Sequence, residues 1–477
     1  MKYETVVGLE IHAELSTDTK MYCGCATSFG SEPNVHCCPV CLAMPGTLPV
    51  INKKAIDFAI KAGLATNCEI TRKGNQERKN YFYPDLPKAY QISQMKTPLC
   101  VNGYIDIEVE GETKRIRINR IHIEEDAGKL LHEAGGGGTL VDLNRGGTPL
   151  IEIVTEPDIR SAEEARAFLE SIKAILEYLE VCDCKMEQGS LRCDVNVSVR
   201  QEGALEYGTR TEMKNLNSFR SVIRAIESES RRHIEAIEYG EEIIQETRKW
   251  DDDKGISFSM RDKEEAQDYR YFPDPDLVYI AIDDEKIESI RKTLPELPAA
   301  RRERYVQEYE IPRYDAELIT NSKYLANFFE SCVSLGATPK VVSNWLLGDV
   351  AKILNEKAAT AEEIPFSPEH LAKLIEIIEN GTISNTAGKK VLEELFKNPR
   401  DPEAIVKEKG LVQISDEGEL LKVIIQVIDE NPRSLEDYKA GKKKAMGFLV
   451  GQTMRATKGQ GNPQMINKLL KEELDRR

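Results

Sequence analysis

Leu191-Arg192-Cys193-Asp194-Val195-Asn196-Val197-Ser198-Val199-Arg200 alternates apolar and polar side chains without a fault. A period of two is that of a β-strand with one buried face, so Leu191, Cys193, Val195, Val197 and Val199 belong to a core. Arg192, Asp194, Asn196, Ser198 and Arg200 then face the other way. Outward from this run the pattern recurs less cleanly in Thr5 to Leu15, Ile105 to Val109, Arg115 to Ile123 and Leu150 to Val154, with Gly, Pro and Asn between. Two helical patterns interrupt it. Ser161 with Glu164 three residues on is a capping box, followed by Ala165, Phe168, Leu169, Ile172, Ile175, Leu176 and Leu179 at core-packing helical spacing. The other, Ser218 to about Tyr239, scatters Ile223, Ile226, Ile234 and Ile237 among charges and is expected on the domain surface.

These elements make residues 1–293 an α+β domain. Past Leu294, Pro295, Leu297 and Pro298 the β-pattern stops, and helical periodicity broken by Pro and Gly takes over. An all-α middle domain is expected over 294–410 and an all-α tail domain over 411–477. With 477 residues the chain exceeds what one core usually serves. No stretch is long and apolar enough for a membrane span, and no basic-then-apolar leader opens the chain, so a soluble cytoplasmic protein is expected. Eleven cysteines, an odd number in a long chain, do not read as a secreted disulfide framework. The net charge of -16 argues against general adhesion to nucleic acid, but from Asn431 to Arg477 eleven Lys or Arg face five Asp or Glu. A local charge of +6 against -22 elsewhere suits selective binding of a polyanion by the tail.

Three groups of residues could carry chemistry. Cys23-Gly24-Cys25 and Cys38-Pro39-Val40-Cys41 are two close pairs bracketing a loop, the spacing of a structural tetrathiolate zinc site. Reduced thiols are the alternative, and the neighbouring His36 and Cys37 leave the ligand set open. On the first strand Glu10, His12 and Glu14 share a face and could hold a hard divalent cation, as could Glu124, Glu125 and Asp126. For the strand alone, a solvated polar face is the simpler explanation. The four glycines Gly135 to Gly138 lack a following Lys-Ser/Thr, so they read as a flexible turn and not a phosphate loop.

Longer polar passages decide between these alternatives. Arg78-Lys79-Asn80-Tyr81-Phe82-Tyr83-Pro84-Asp85-Leu86-Pro87-Lys88, the runs Val141 to Asp158 and Met186 to Arg200, and Gly208 to Phe219 are written in residues that packing does not require. With Val7 to Leu15 and the four-cysteine loop, they closely resemble the B subunits of the aspartyl/glutamyl-tRNA amidotransferases, along essentially the whole chain. The resemblance implies a cradle domain similar to the glutamine synthetase and guanido kinase fold. It implies ATP-dependent phosphorylation of the side-chain carboxylate of Glu-tRNA(Gln) or Asp-tRNA(Asn), then amidation by ammonia. It also implies partner subunits A, the amidase, and C in a heterotrimer, and magnesium as cofactor. Glu10, His12 and Glu125 look like the metal ligands, Glu152 a further candidate and Lys79 a phosphate contact. Arg192, Asp194, Arg210, Glu212 and Lys214 would complete the floor, with Arg192 and Lys214 toward the nucleotide. A glutamate-specific archaeal relative with an inserted domain does not fit this length, and a non-catalytic tRNA-binding scaffold does not account for so many polar motifs.

Overall fold

Tyr3–Glu14 (β1) pairs antiparallel with the alternating strand Leu191–Gln201 (β6), from Tyr3 opposite Gln201 to Ala13 opposite Leu191. The other strands of this sheet are Glu69–Ile70 (β2), Cys100–Val109 (β3), Glu112–Glu125 (β4), Pro149–Thr155 (β5), Thr211–Lys214 (β7), Glu246–Asp251 (β8) and Ile256–Asp262 (β9). Their spatial order is β9-β8-β7-β6-β1-β5-β4-β3-β2. Every pairing is antiparallel except β7 with β8, which the helix Phe219–Tyr239 (α3) connects. β1 thus sits at the centre, where its side chains have neighbours on both sides.

The computed structural model describes residues 2–132, 138–262, 268–414, 416–457 and 459–477. Gly135 to Gly137 of the glycine run lie outside the described residues. Two compact units are present, Met1–Pro298 and Ala299–Arg477, the first rich in sheet and the second helical. Among the described residues no helix is long and apolar enough to cross a membrane.

The apolar face of the sheet carries Leu9, Ile11, Ile121, Ile123, Ile151, Ile153, Val195 and Val197, each at most 1% exposed. These pack in one core with Phe168, Leu169, Ile172 and Leu176 of Ala162–Tyr178 (α2) and with residues of Lys53–Ala65 (α1). Each such side chain stabilises by about 1.5–3 kcal/mol, which fixes which face of every strand turns away from the helices. Ser161 caps α2 by accepting from Glu164 N at 3.1 Å. The helix α3 departs from expectation: it packs on the core through Val222, Ala225 and Ile226, and then through buried Glu229 and His233. Its buried stripe continues in hydrogen-bonded polar residues, so apolar spacing alone understated it.

In the helical unit, Glu417–Glu430, Lys443–Ala456 and Pro463–Arg476 share a core of their own that includes Leu420, Ile424, Leu449, Ile466 and Leu470.

Candidate functional site

The face of the sheet opposite the helices is polar, and register brings its side chains together. His12 lies opposite Glu152 on one side and Arg192 on the other, Glu10 opposite Asp194, and Glu152 opposite His122. His12 Nε2 is 3.4 Å from Glu152 Oε2, and His122 Nε2 is 3.2 Å from both Glu152 Oε2 and Glu124 Oε1. Glu124 is 2% exposed and accepts from Gln91 Nε2 at 3.1 Å and Ser93 Oγ at 2.5 Å. His12, Glu124 and Glu152 each offer a ligand atom within 4.8 Å of the others. One imidazole and two buried carboxylates in a converging set suit a hard divalent cation.

Electrostatics agree with this clustering. Burial alone would lower the His122 imidazole, but Glu152 and Glu124 reverse that and push it up to about 9. Burial would raise Glu152, yet His122 and His12 hold it well below the usual carboxylate range. Glu10 moves up instead, through its own burial and then the charge of Glu152. Lys79 and Lys214, which burial would lower, are held above the ordinary range by carboxylates: Glu124 for Lys79, Asp194 and Glu212 for Lys214. Both remain ammonium ions. Lys214 Nζ bridges Asp194 Oδ2 at 2.5 Å and Glu212 Oε1 at 2.9 Å. Arg192 donates to Asp126 Oδ2 at 3.0 Å.

The set Glu10, His12 and Glu125 is not what converges. Glu10 Oε1 accepts from Asn196 Nδ2 at 2.9 Å, whereas Glu125 pairs with Lys88 and accepts from Ile92 N at 3.1 Å. Glu124 stands where Glu125 was expected. Arg210 is exposed, just ahead of β7, while Glu152, Arg192, Asp194, Glu212 and Lys214 do share the polar face. His122 was missed by sequence reasoning. Its signal was present: it alternates with Ile121 and Ile123 on a strand whose buried face they define.

At the end of β1 the chain enters the cysteine loop. Cys41 Sγ lies 3.4 Å from Cys23 Sγ, 3.7 Å from Cys25 Sγ and 3.8 Å from Cys38 Sγ. Four sulfurs at about 2.3 Å from one tetrahedral zinc would stand about 3.8 Å apart, so these thiols can hold a metal. His36 is turned to Ser28 and Ser31, and Cys37 toward Asn34. Neither joins the cluster.

Residues 5–288 match the GatB/GatE catalytic domain family and residues 327–474 the GatB domain family. The chain is 62% identical to the B subunit of the aspartyl/glutamyl-tRNA(Asn/Gln) amidotransferase of Caldicellulosiruptor bescii, over the full length of both. It is 59% identical to that of Caldanaerobacter subterraneus and 56% identical to that of Clostridium tetani, again over all of each chain.

Proposed function

Because the chain belongs to the family of aspartyl/glutamyl-tRNA(Asn/Gln) amidotransferase B subunits, we propose that its polar sheet face activates the carboxylate of misacylated tRNA for amidation. The observation that carries this reading is the convergence of His12, Glu124 and Glu152 beside the ammonium groups of Lys79 and Lys214. A carboxylate is a poor acyl donor, and ammonia displaces its oxygen only once that oxygen is phosphate. A carboxylate oxygen of the Glu or Asp side chain on the tRNA attacks the γ-phosphorus of ATP and ADP leaves; ammonia then attacks the acyl phosphate carbon, and inorganic phosphate departs as the nitrogen loses a proton to give the amide.

His12, Glu124 and Glu152 would hold magnesium, which supplies charge neutralisation across the ATP phosphates when bound. Lys79, Arg192 and Lys214 then steady the phosphates with fixed positive charge. Asp194 and Glu212 keep Lys214 extended into the face, and Asp126 does the same for Arg192. Glu10, anchored by Asn196, borders the same surface. Cys23, Cys25, Cys38 and Cys41 would hold one structural zinc, since four thiolates leave no open position for chemistry.

On this reading residues 1–293 form a cradle of the glutamine synthetase and guanido kinase type, 294–410 a helical domain and 411–477 a tail that grips the tRNA body. Subunits A and C complete a cytoplasmic heterotrimer, A supplying ammonia from glutamine. The test is to assemble the chain with A and C and supply misacylated tRNA, ATP and glutamine. The Glu152→Gln variant is expected to form no acyl phosphate while glutamine hydrolysis persists. Full amidation by that variant at ordinary magnesium concentrations would remove the proposal.

A further inference from the structure

Lys20, at 1% exposed, is the only lysine among the buried polar residues described. Taking an ammonium out of water is costly unless charge compensates it, and lysine is seldom fully buried without a partner. Its Nζ donates to Leu143 O at 3.0 Å and to Cys41 Sγ at 3.6 Å. No carboxylate forms an ion pair with it among the described residues. A backbone carbonyl and a neutral thiol would leave that charge under-compensated. Four thiolates around zinc make a dianion, and an adjacent ammonium reduces it to a monoanion.

The backbone at Lys20 also ties the cysteine loop to the turn that precedes β5. Its backbone N–H donates to Cys25 O at 2.9 Å, and the next residue, Met21, donates to Gly147 O at 2.7 Å. Gly147 N donates to Asp126 O, and Asp126 N to Thr148 O, both at 2.8 Å. Asp126 is the residue that holds Arg192. Gly147 has φ +87°, a backbone that favours glycine, and a Cβ there would lie 3.4 Å from Lys20 Cδ. The turn from Leu143 to Thr148 is therefore gripped by Lys20 and Met21 on one side and by Asp126 on the other, and it leads directly into β5 and Glu152.

We propose that Lys20 is the counter-ion of a zinc tetrathiolate at Cys41 and, through Leu143, the tie by which zinc occupancy orders the turn that feeds the catalytic sheet. Lys20 is a positioning residue, not a catalytic one. The proposal rests on the reading that the four cysteines hold zinc.

The test uses the full-length chain, zinc alone as ligand, a competing chelator and amide hydrogen exchange. In Lys20→Met, which keeps length and loses charge, zinc retention against chelator is expected to weaken by about 10–100-fold, the range for outer partners of metal ligands. With cobalt in place of zinc, the sulfur-to-metal charge-transfer band should move to lower energy, because the N–H donor to Cys41 Sγ is gone. A purely structural role would not shift that band. In the wild-type chain, stripping zinc should speed amide exchange over residues 143–148. Wild-type metal retention with an unmoved band in Lys20→Met overturns the counter-ion role. Unchanged exchange after stripping overturns the tie, and this measurement decides the matter if Lys20→Met fails to fold. A wild-type chain that takes up no zinc refutes the four-cysteine reading itself, a result visible before any variant is made.

Discussion

Asn119 is one residue too many. Ile118 lies opposite Thr155 and Arg120 opposite Val154, so β4 spends two steps where β5 spends one. Such a bulge changes which residues face the core: Ile116 and Ile118 point inward before it, Ile121 and Ile123 after it. Alternation carried straight through from Ile116 would put Glu125 on the polar face, and the bulge puts Glu124 there instead. The two variants should therefore differ. Glu124→Gln is expected to raise the magnesium requirement of tRNA-dependent ATP cleavage by about 10–100-fold. Glu125→Gln should leave that requirement unchanged, since Glu125 faces Lys88. Titration of magnesium with both variants distinguishes them. At Gly208 an added Cβ would meet Val199 O at 2.1 Å. Backbone cannot yield as a side-chain tip can, so Gly208→Ala should lower stability by about 1–3 kcal/mol, read as a lower denaturant midpoint.

At the scale of elements, α3 and β7 are joined by polar contacts that hold the strand bearing Glu212 and Lys214. Thr211 Oγ1 donates to Glu229 Oε1 at 2.8 Å, and Ser257 Oγ donates to Glu229 Oε2 at 3.1 Å. Arg232 pairs with the same carboxylate at 2.6 Å. Burial would raise the Glu229 carboxyl, but His233, Arg232 and Thr211 outweigh it and hold it well below the usual range. A carboxyl depressed in the folded state contributes stability that is present above its unfolded value near 4.5. That contribution is lost as pH falls below it through the folded value. Wild-type stability should thus decline below about pH 4.5 more steeply than that of Glu229→Gln, which is less stable at neutral pH. Parallel acid limbs in urea melts would contradict this. For α2, Ser161→Ala removes the acceptor for Glu164 N and should cost about 1 kcal/mol.

At the scale of the whole molecule, charge is divided unevenly, with +6 between Asn431 and Arg477 and -22 elsewhere. Some of that positive charge is spent within the tail: Lys442 pairs with Asp437 at 2.7 Å, and Arg477 with Glu473 and Asp429. The Lys442 pair is exposed at both ends and such pairs are weak, so phosphate can compete for Lys442. Replacing Lys442, Lys443 and Lys444 with Ala should weaken tRNA binding and flatten its salt dependence, by up to about 0.9 units of slope for each lysine that neutralises a phosphate. Amidation of bound substrate at saturation should stay near that of wild type. An unchanged salt slope with the tail deleted would assign tRNA binding to the acidic body.

From sequence alone β1, β3, β4, β5 and β6 and the helices α2 and α3 were legible, because burying one face imposes periods of 2 and 3.6 that their residues display, whereas α1, the two-residue β2 and the strands β7, β8 and β9 were not. Leu191 to Arg200 forms β6, and Ser161 caps α2. The family was legible as well, since passages such as Met186 to Arg200 carry, between their core residues, polar side chains such as Arg192, Asp194 and Asn196 that packing does not require. Contacts between distant segments settle the rest, where neighbours matter more than period. The bulge at Asn119 is set by pairing with β5, and its mark in the sequence, the shift of the isoleucines from 116 and 118 to 121 and 123, is passed over when Arg115 to Ile123 is read as one unbroken strand. His122 joins the site because Glu152 stands opposite it, and α3 packs inward because Glu229 and His233 find partners across the interface. Lys20 looks in the sequence like any surface lysine. Only the convergence of Cys41 and Leu143 on its ammonium shows that it is buried, because the environment of a charge is fixed by long-range contacts that no stretch of sequence spells out.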